Sequence, residues 1–427
     1  MKKVGLRRAK AACCLLPLLI TLACAQGTSE REAPSFSLTA PKANLPDEHL
    51  VDDKPAAETP LGKHGALKVV GPDLVDAHGK PVQLKGISSM WLNMEETGYA
   101  ESGAALKWMR DNWNVSLFRA AMGVGNDQGQ ASGGGYLVYP DRMQAFVDRI
   151  IENATTLGMY VLVDWHDHVA EYHVDQAEAF FSDMAQRYKD HDNVIYEVFN
   201  EPITGIWDQA TRTVKQSFTW ADDIKPYHER VVAAIRRYDP DAVIVLGTPQ
   251  WSQKVDTAAE DPVAGTNLMY TLHFYSCTHK QQFRDIAQVA RDAGLPIMVT
   301  EWGATNADGG VSDKTVCSDE GDLWQQWMNT NNISWAAWKL DDCTDASCLL
   351  KPGTAVTGDW SKSLQGHGQY VVDKLLAPTS PSAPSPSTST PAPSASPMPS
   401  APGPAEADGG AEPNSTSEPA TSGADGG

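Results

Sequence analysis

The chain has 427 residues, 41% of them hydrophobic, and sets 34 Lys and Arg against 54 Asp and Glu for a net charge of −20. So acidic a chain is repelled by nucleic acid and by anionic membrane surfaces, which excludes both as partners, whereas a neutral polymer is compatible with it. The length leaves room for more than one domain, but composition removes both ends from that count.

Residues 1–25 carry Lys2, Lys3, Arg7, Arg8 and Lys10, run uncharged from Ala11 to Ala23 and finish in small residues, the layout of a secretory signal peptide. The uncharged run falls short of the roughly 20 apolar residues of a spanning helix. Ala23-Cys24-Ala25 offers a small-x-small cleavage site. Leu22-Ala23-Cys24 resembles a lipobox with Thr21 where Leu is usual, so Cys24 is also a candidate lipid anchor. Either route implies export, to the medium or to the outer cell surface. Residues 26–64 are polar, hold Pro34, Pro41, Pro46, Pro55 and Pro60, and keep neither a strand nor a helix period; they read as a disordered tether.

Between residues 65 and 376 short β-branched or apolar runs alternate with longer amphipathic stretches, the pattern of repeated strand–helix units. Leu67-Lys-Val-Val70 and Leu74-Val75, joined across Gly71-Pro72, predict a β-hairpin that caps a barrel floor. Eight strands follow, over 82–88, 115–120, 160–165, 194–200, 243–247, 269–275, 297–301 and 333–338. Helices are predicted between them at 142–157, 176–189, 226–238, 280–293 and 323–331. Eight strands are the count of a closed α/β barrel, the (β/α)8 TIM barrel. Residues 377–427 are Pro, Ser, Thr, Ala and Gly with scattered acidic residues, which cannot bury a core, and read as a disordered tail.

Each predicted strand is apolar within and polar at its C-terminal end, as at Arg119, Asp164-Trp-His166, Asn200-Glu201, His273-Phe-Tyr275, Glu301 and Trp338. In a parallel barrel those ends meet at one face, so Glu201 and Glu301 converge on one cleft. Acetal hydrolysis needs an acid to protonate the departing oxygen and a carboxylate to take or shield the sugar cation, and these two glutamates suit it. A rim salt bridge is the commoner fate of a lone Glu; two at corresponding strand ends favour catalysis. Asn200 offers an amide to a sugar hydroxyl. Arg119, costly to bury alone, is expected to pair with the nucleophilic carboxylate and keep it ionised. His166, His273 and Tyr275 are polar tips for a reactive carboxylate or the sugar, and Asp164 is expected to brace neighbouring backbone.

Of the 13 Trp, Trp91, Trp251, Trp302 and Trp338 fall just past strand ends where a ring can stack on a pyranose face, Trp338 foremost. Trp108, Trp113, Trp324 and Trp327 lie in helical stretches, where packing against the sheet is expected. Three of the seven cysteines, Cys13, Cys14 and Cys24, belong to the leader; Cys277, Cys317, Cys343 and Cys348 suit disulfides in an exported chain. Of three possible pairings, Cys343 with Cys348 is the easiest because only Thr344-Asp-Ala-Ser347 intervenes, which leaves Cys277 with Cys317. Acetal hydrolysis requires no cofactor or metal, and no motif for one stands out.

Together these residues resemble glycoside hydrolase family 5, the cellulase family, and its bacterial endoglucanases in particular. The likeness runs through nearly all of residues 65–376: Gln83-Leu-Lys-Gly-Ile-Ser88, Arg119-Ala-Ala-Met122, Val163-Asp-Trp-His-Asp-His168, Asn200-Glu-Pro202, Gly247-Thr-Pro-Gln-Trp-Ser-Gln253, Leu272-His-Phe-Tyr275 and Thr300-Glu-Trp-Gly303. The resemblance implies a barrel that cuts internal β-1,4-glucosidic bonds with retention, Glu201 as acid/base, Glu301 as nucleophile, and supporting roles for Arg119, His166, Asn200, His273, Tyr275 and Trp338. Two positions depart from the family pattern. Ser88-Ser-Met-Trp-Leu92 stands where many relatives carry His-Gly-Leu-Gln-Trp, and Cys343 stands where a lysine often follows the eighth strand; both border the substrate subsites. The nearest alternative is the same chemistry on mannan, mixed-linkage glucan or xyloglucan. An alternative of another class is a noncatalytic cell-surface carbohydrate-binding protein, against which the intact set of Glu201, Glu301, Arg119 and Asn200 weighs. A monomer is expected.

Overall fold

A computed structural model describes residues 50–125, 134–208 and 213–378. The expected signal segment, Cys24, most of the tether and nearly all of the tail lie outside these residues. The last part of the stretch expected as tether is folded instead. A short 3-10 turn (Ala56–Glu58) leads into α1 (Pro60–His64), whose first turn is capped by the Thr59 side chain. Ahead of it Asp52 bonds the enclosed guanidinium of Arg110 at 2.6 Å. A buried cation without a counter-charge is strongly unfavourable, and this pairing ties down a segment whose prolines suggested no structure.

The predicted hairpin is β1 (Lys68–Val70) paired antiparallel with β2 (Asp73–Val75), Lys68 opposite Val75. Its two-residue connection places Gly71 at φ +58°, a conformation that penalises a Cβ. The barrel strands are β3 (Lys85–Ser89), β4 (Leu117–Gly123), β5 (Tyr160–His166) and β6 (Val194–Glu197), then β9 (Ile244–Leu246), β10 (Leu268–Tyr275), β11 (Ile297–Gly303) and β12 (Trp335–Leu340). They close in the order β10-β11-β12-β3-β4-β5-β6-β9. Each of the eight predicted strands is present, with shifted ends. A further antiparallel hairpin that the sequence reading did not anticipate, β7 (Gly205–Asp208) with β8 (Thr213–Ser217), stands outside the barrel after Glu201.

The outer layer comprises α2 (Gly103–Trp113), α3 (Pro140–Thr156), α4 (Val174–Tyr188), α5 (Lys225–Arg236), the single turn α6 (Pro249–Ser252), α7 (Val255–Glu260), α8 (Gln281–Asp292), α9 (Ser318–Thr330) and α10 (Gly368–Leu376). Helical periodicity explains how they dock: α3 buries Met143, Val147, Ile150, Ile151 and Ala154, which recur on one face. Local chemistry sets the ends of α2, where the Ser102 hydroxyl accepts the Ala105 amide and Asn114 closes the helix in a left-handed conformation. As expected, Trp113 and Trp324 are buried and Trp108 and Trp327 pack partly buried against the same core.

Two apolar layers result. One lies between sheet and helices; the other fills the lower barrel, where Leu67 and Leu74 of the hairpin segment meet Leu117, Leu162, Ile195, Val245, Met269 and Met298. Packing therefore closes the floor. The polar strand ends border the opposite mouth, the face at which this architecture carries chemistry. Among the described residues no helix is long and apolar enough to cross a membrane.

Candidate active site

Register brings the polar tips together: Ser88 on β3 is level with Arg119 on β4, Asp164 on β5 with Glu197 on β6, and His273 on β10 with Glu301 on β11. Strand β6 ends at Glu197, so Asn200 and Glu201 project from the chain just beyond it. The centre of the arrangement is Arg119, which is fully buried. Its Nη1 donates to Glu301 Oε2 at 3.0 Å, Nη2 to Asn200 Oδ1 at 2.6 Å, and Nε to Glu197 Oε2 at 2.7 Å. The predicted pairing of Arg119 with Glu301 is in place, and two more carboxylates share the guanidinium.

One of these is Asp164, whose Oδ2 lies 3.0 Å from Arg119 Nη2 and 2.6 Å from His166 Nδ1. It was expected to brace backbone; it braces two side chains instead, because a buried carboxylate is stabilised far more by a cation and a ring N–H than by solvent-exposed turns. The other is Glu197, which the sequence reading passed over. Burial pushes Asp164 up to about 7 although Arg119 pulls it down, and burial likewise raises Glu197 against the same arginine. His166 is driven the other way, to about 3, by burial and then by the nearby Arg119 charge, so its ring is neutral and donates Nδ1–H to Asp164.

Glu301 is gripped at both oxygens: Oε2 by Arg119, Oε1 by the Tyr275 hydroxyl at 2.5 Å. Gly303 makes room for that tyrosine, since a Cβ there would stand 2.8 Å from its ring. Glu201 sits between two imidazoles, with His273 Nδ1 2.8 Å from Oε1 and His168 Nε2 3.2 Å from Oε2. Burial raises the proton affinity of Glu201, but the hydrogen bonds and charge of His168 and His273 outweigh it and hold the carboxyl below the usual range. One oxygen of Glu201, one of Glu301 and a ring nitrogen of His273 all lie within 4.8 Å of one another.

A family model described as cellulase, glycosyl hydrolase family 5, matches residues 75–344. An endoglucanase of Clostridium saccharobutylicum is 39% identical over 339 residues, which is 78% of this chain and 69% of the relative. Endoglucanase 5 of Pectobacterium carotovorum subsp. carotovorum is 36% identical over 323 residues, 75% of this chain and 59% of that relative. The chain belongs to glycosyl hydrolase family 5. Among solved structures, the catalytic domain of Thermobifida fusca endoglucanase Cel5A has a TM-score of 0.67 at 31% identity, over 75% of this chain and 100% of that one. A variant of the same domain in complex with cellotetraose has a TM-score of 0.66 at 30% identity, with 75% and 100% covered.

The aromatic rim of this family 5 chain differs in part from expectation. Trp338 lies parallel to the His166 ring, 9° between planes at 5.5 Å, and Trp91 meets His166 edge-on at 4.4 Å. Trp91, Tyr275 and Trp338 form a small apolar cluster at the mouth. Trp302 is no stacking platform. It is fully buried against Phe274 and Trp335, because neighbours on a strand face opposite sides and Glu301 takes the cleft side. Trp251 is the open ring, 45% exposed, on the α6 turn where Gln250, Trp251 and Ser252 hold φ of 58°, 55° and 54°. Each such residue costs on the order of 1–2 kcal/mol, offset here by bonds that tie the turn to the Glu201 loop. Trp251 N donates to Pro202 O and Ser252 Oγ to Asn200 O. The cysteines pair as Cys277–Cys317, joining the turn after β10 to the start of α9, and Cys343–Cys348, closing the loop after β12.

Proposed function

We propose that the chain is an exported, retaining endo-β-1,4-glucanase in which Glu201 is the acid/base and Glu301 the nucleophile. The carrying observation is the approach of the two carboxylates, with oxygens within 4.8 Å. Retaining glycosidases hold their carboxyl groups about 5–5.5 Å apart, whereas inverting ones need roughly 6.5–9.5 Å to admit a water. In the first step an oxygen of Glu301 bonds to the anomeric carbon while the glycosidic bond breaks and Glu201 delivers a proton to the departing oxygen. In the second, Glu201 takes a proton from water, the water oxygen attacks the same carbon, and Glu301 leaves as a carboxylate.

The surroundings suit these roles. Arg119 and Tyr275 donate to the two oxygens of the nucleophile and fix its carboxyl group in the cleft. His168 and His273 favour the ionised Glu201 that the second step requires, and the proton for the first step is shared across the 2.8 Å contact with His273. Asn200 Nδ2 is buried and lacks a hydrogen-bond partner among the described residues, which leaves it for a sugar hydroxyl. Trp338, Trp91 and Trp251 offer faces for pyranose rings, and His166 presents its second ring nitrogen as an acceptor.

The substrate assignment to cellulose or a related β-glucan draws on relatives named endoglucanases and on the cellotetraose complex of the Thermobifida fusca domain. Export, with or without a lipid on Cys24, draws on the basic leader and its apolar run, and a monomer acting on a neutral polymer, not nucleic acid, completes the reading. Reducing-sugar release and viscosity on carboxymethylcellulose, mannan, mixed-linkage glucan and xyloglucan test it. Carboxymethylcellulose is expected to lose viscosity fastest, and Glu301→Ala to abolish the reaction. Preference for mannan, or near wild-type activity in Glu301→Ala, overturns the assignment. Intact mass of the mature N-terminus distinguishes a diacylated Cys24 from simple cleavage.

A further inference from the structure

We propose that Glu197 is a positioning residue for the acid/base carboxylate: through Thr300 it dictates which nitrogen of His273 carries hydrogen. This rests on the assignment of Glu201 as acid/base. Glu197 is fully buried in β6 and touches neither cleft nor solvent. Its Oε2 accepts from Arg119 Nε at 2.7 Å; its Oε1 accepts from Thr300 Oγ1 at 2.6 Å and from Thr271 Oγ1 at 3.2 Å. Thr300 Oγ1 in turn lies 2.9 Å from His273 Nε2, and His273 Nδ1 lies 2.8 Å from Glu201 Oε1. A continuous chain of hydrogen bonds thus runs from Glu301 through Arg119, Glu197, Thr300 and His273 to Glu201.

The direction of that chain follows from donor counting. A threonine hydroxyl has one proton, and the short contact to a carboxylate claims it. Thr300 then has only a lone pair to offer His273, so Nε2 is the protonated nitrogen. In the neutral ring Nδ1 is therefore an acceptor, and the contact between Nδ1 and Glu201 must contain a proton of its own. Glu201 and His273 hold that proton between them, and the acid catalyst is loaded before substrate arrives. If the hydroxyl of Thr300 turned towards His273, the ring would carry hydrogen on Nδ1 and Glu201 would only accept: a carboxylate with nothing to donate.

Glu197→Gln makes that reversal. The amide oxygen must face Arg119 Nε, because an NH2 there would set two donors against each other. The NH2 then donates to Thr300, whose proton swings to His273 Nε2. Thr300→Val deletes the relay without touching the carboxylate, and Thr300→Ser restores the hydroxyl. The readout is kcat/KM, which reports the glycosylation step, on two substrates. A cello-oligosaccharide needs protonation of its leaving group; 2,4-dinitrophenyl β-cellobioside does not.

For Glu197→Gln and Thr300→Val the oligosaccharide reaction is expected to fall about ten- to hundredfold, part of the roughly 10²–10⁴ that a positioned acid supplies, while the dinitrophenyl substrate stays within about threefold of wild type. Thr300→Ser is expected to recover the oligosaccharide rate. Nitrogen-15 shifts of His273 should report Nε2–H in the wild type and Nδ1–H in Glu197→Gln. Glu201→Ala serves as reference. If it shows no difference between the two substrates, the acid/base assignment itself falls. If it shows the difference and the two relay variants lose both substrates equally, or neither, Glu197 has no such role. Should Glu197→Gln fail to fold, Thr300→Val decides alone.

Discussion

Glu171 offers a quantitative test of how burial sets charge beside the cleft. It lies in the 3-10 turn Ala170–His173, three residues beyond His168, and both carboxyl oxygens are buried without a hydrogen-bond partner among the described residues. Burial is the main cause that pushes its carboxyl from 4.5 up to about 8; its own backbone amide opposes this, and the charges of Asp167 and Asp223 add to it. In the unfolded chain the group ionises near 4.5, so between that pH and about 8 the unfolded state releases a proton that the folded state keeps. For a raised carboxyl, stability is therefore full below the lower value and declines as pH rises through the window. At pH 7 the decline is 2.5 units at 1.36 kcal/mol each, about 3 kcal/mol. Glu171→Gln keeps the shape and removes the titration. It is expected to match wild type near pH 4 and to exceed it by about 3 kcal/mol at pH 7, which at roughly 2 °C per kcal/mol for a domain of this size is about 6 °C in Tm. Scanning calorimetry of both proteins from pH 4 to pH 8 decides. A Tm difference that does not change with pH, or a variant less stable throughout, would refute the reasoning by showing that the carboxylate has a partner in the fold.

Three other outcomes follow from particular contacts. Tyr275→Phe removes the 2.5 Å donor from Glu301, and a bond to a charged group worth about 1.5–3 kcal/mol predicts a roughly ten- to hundredfold loss in kcat with little change in KM; a loss under about twofold contradicts it. Burial lowers His228 to about 4 while its Nε2 bonds Gly247 O. Because the unfolded histidine takes up a proton first, its contribution is whole above about pH 6.5 and is lost as pH falls. The destabilisation caused by His228→Asn, read from urea midpoints, is expected to shrink by about 3 kcal/mol between pH 7 and pH 4, and a constant penalty would contradict this. Trp251→Ala should lower kcat/KM on cellopentaose about tenfold while sparing a short aryl cellobioside; equal effects on both would remove Trp251 from the substrate path.

The barrel was legible because each strand writes its own boundary: apolar residues within, a polar residue at the rim, and helical periodicity in between. Arg119 showed why the same logic stopped short. A buried arginine demanded a carboxylate, and Glu301 was named, yet Glu197 interrupts the run Val194-Ile-Tyr-Glu-Val-Phe with the same kind of isolated charge and answers the same demand. That signal was present and unused. Strand alternation also carried the fate of Trp302, since a residue next to an inward Glu301 has to face the helices. Other features depend on tertiary bonds that no local pattern encodes. The left-handed turn at Gln250 to Ser252 is fixed by Pro202 and Asn200, and the order of residues 50–64 depends on the pairing of Asp52 with Arg110.

Proton NMR of a fresh digest of cellohexaose measures the central claim most directly, because the anomeric form released first records how many displacements occurred. With oxygens of Glu201 and Glu301 within 4.8 Å, the β-anomer should accumulate first and mutarotate later. Initial release of the α-anomer would show a single displacement by water and contradict the account.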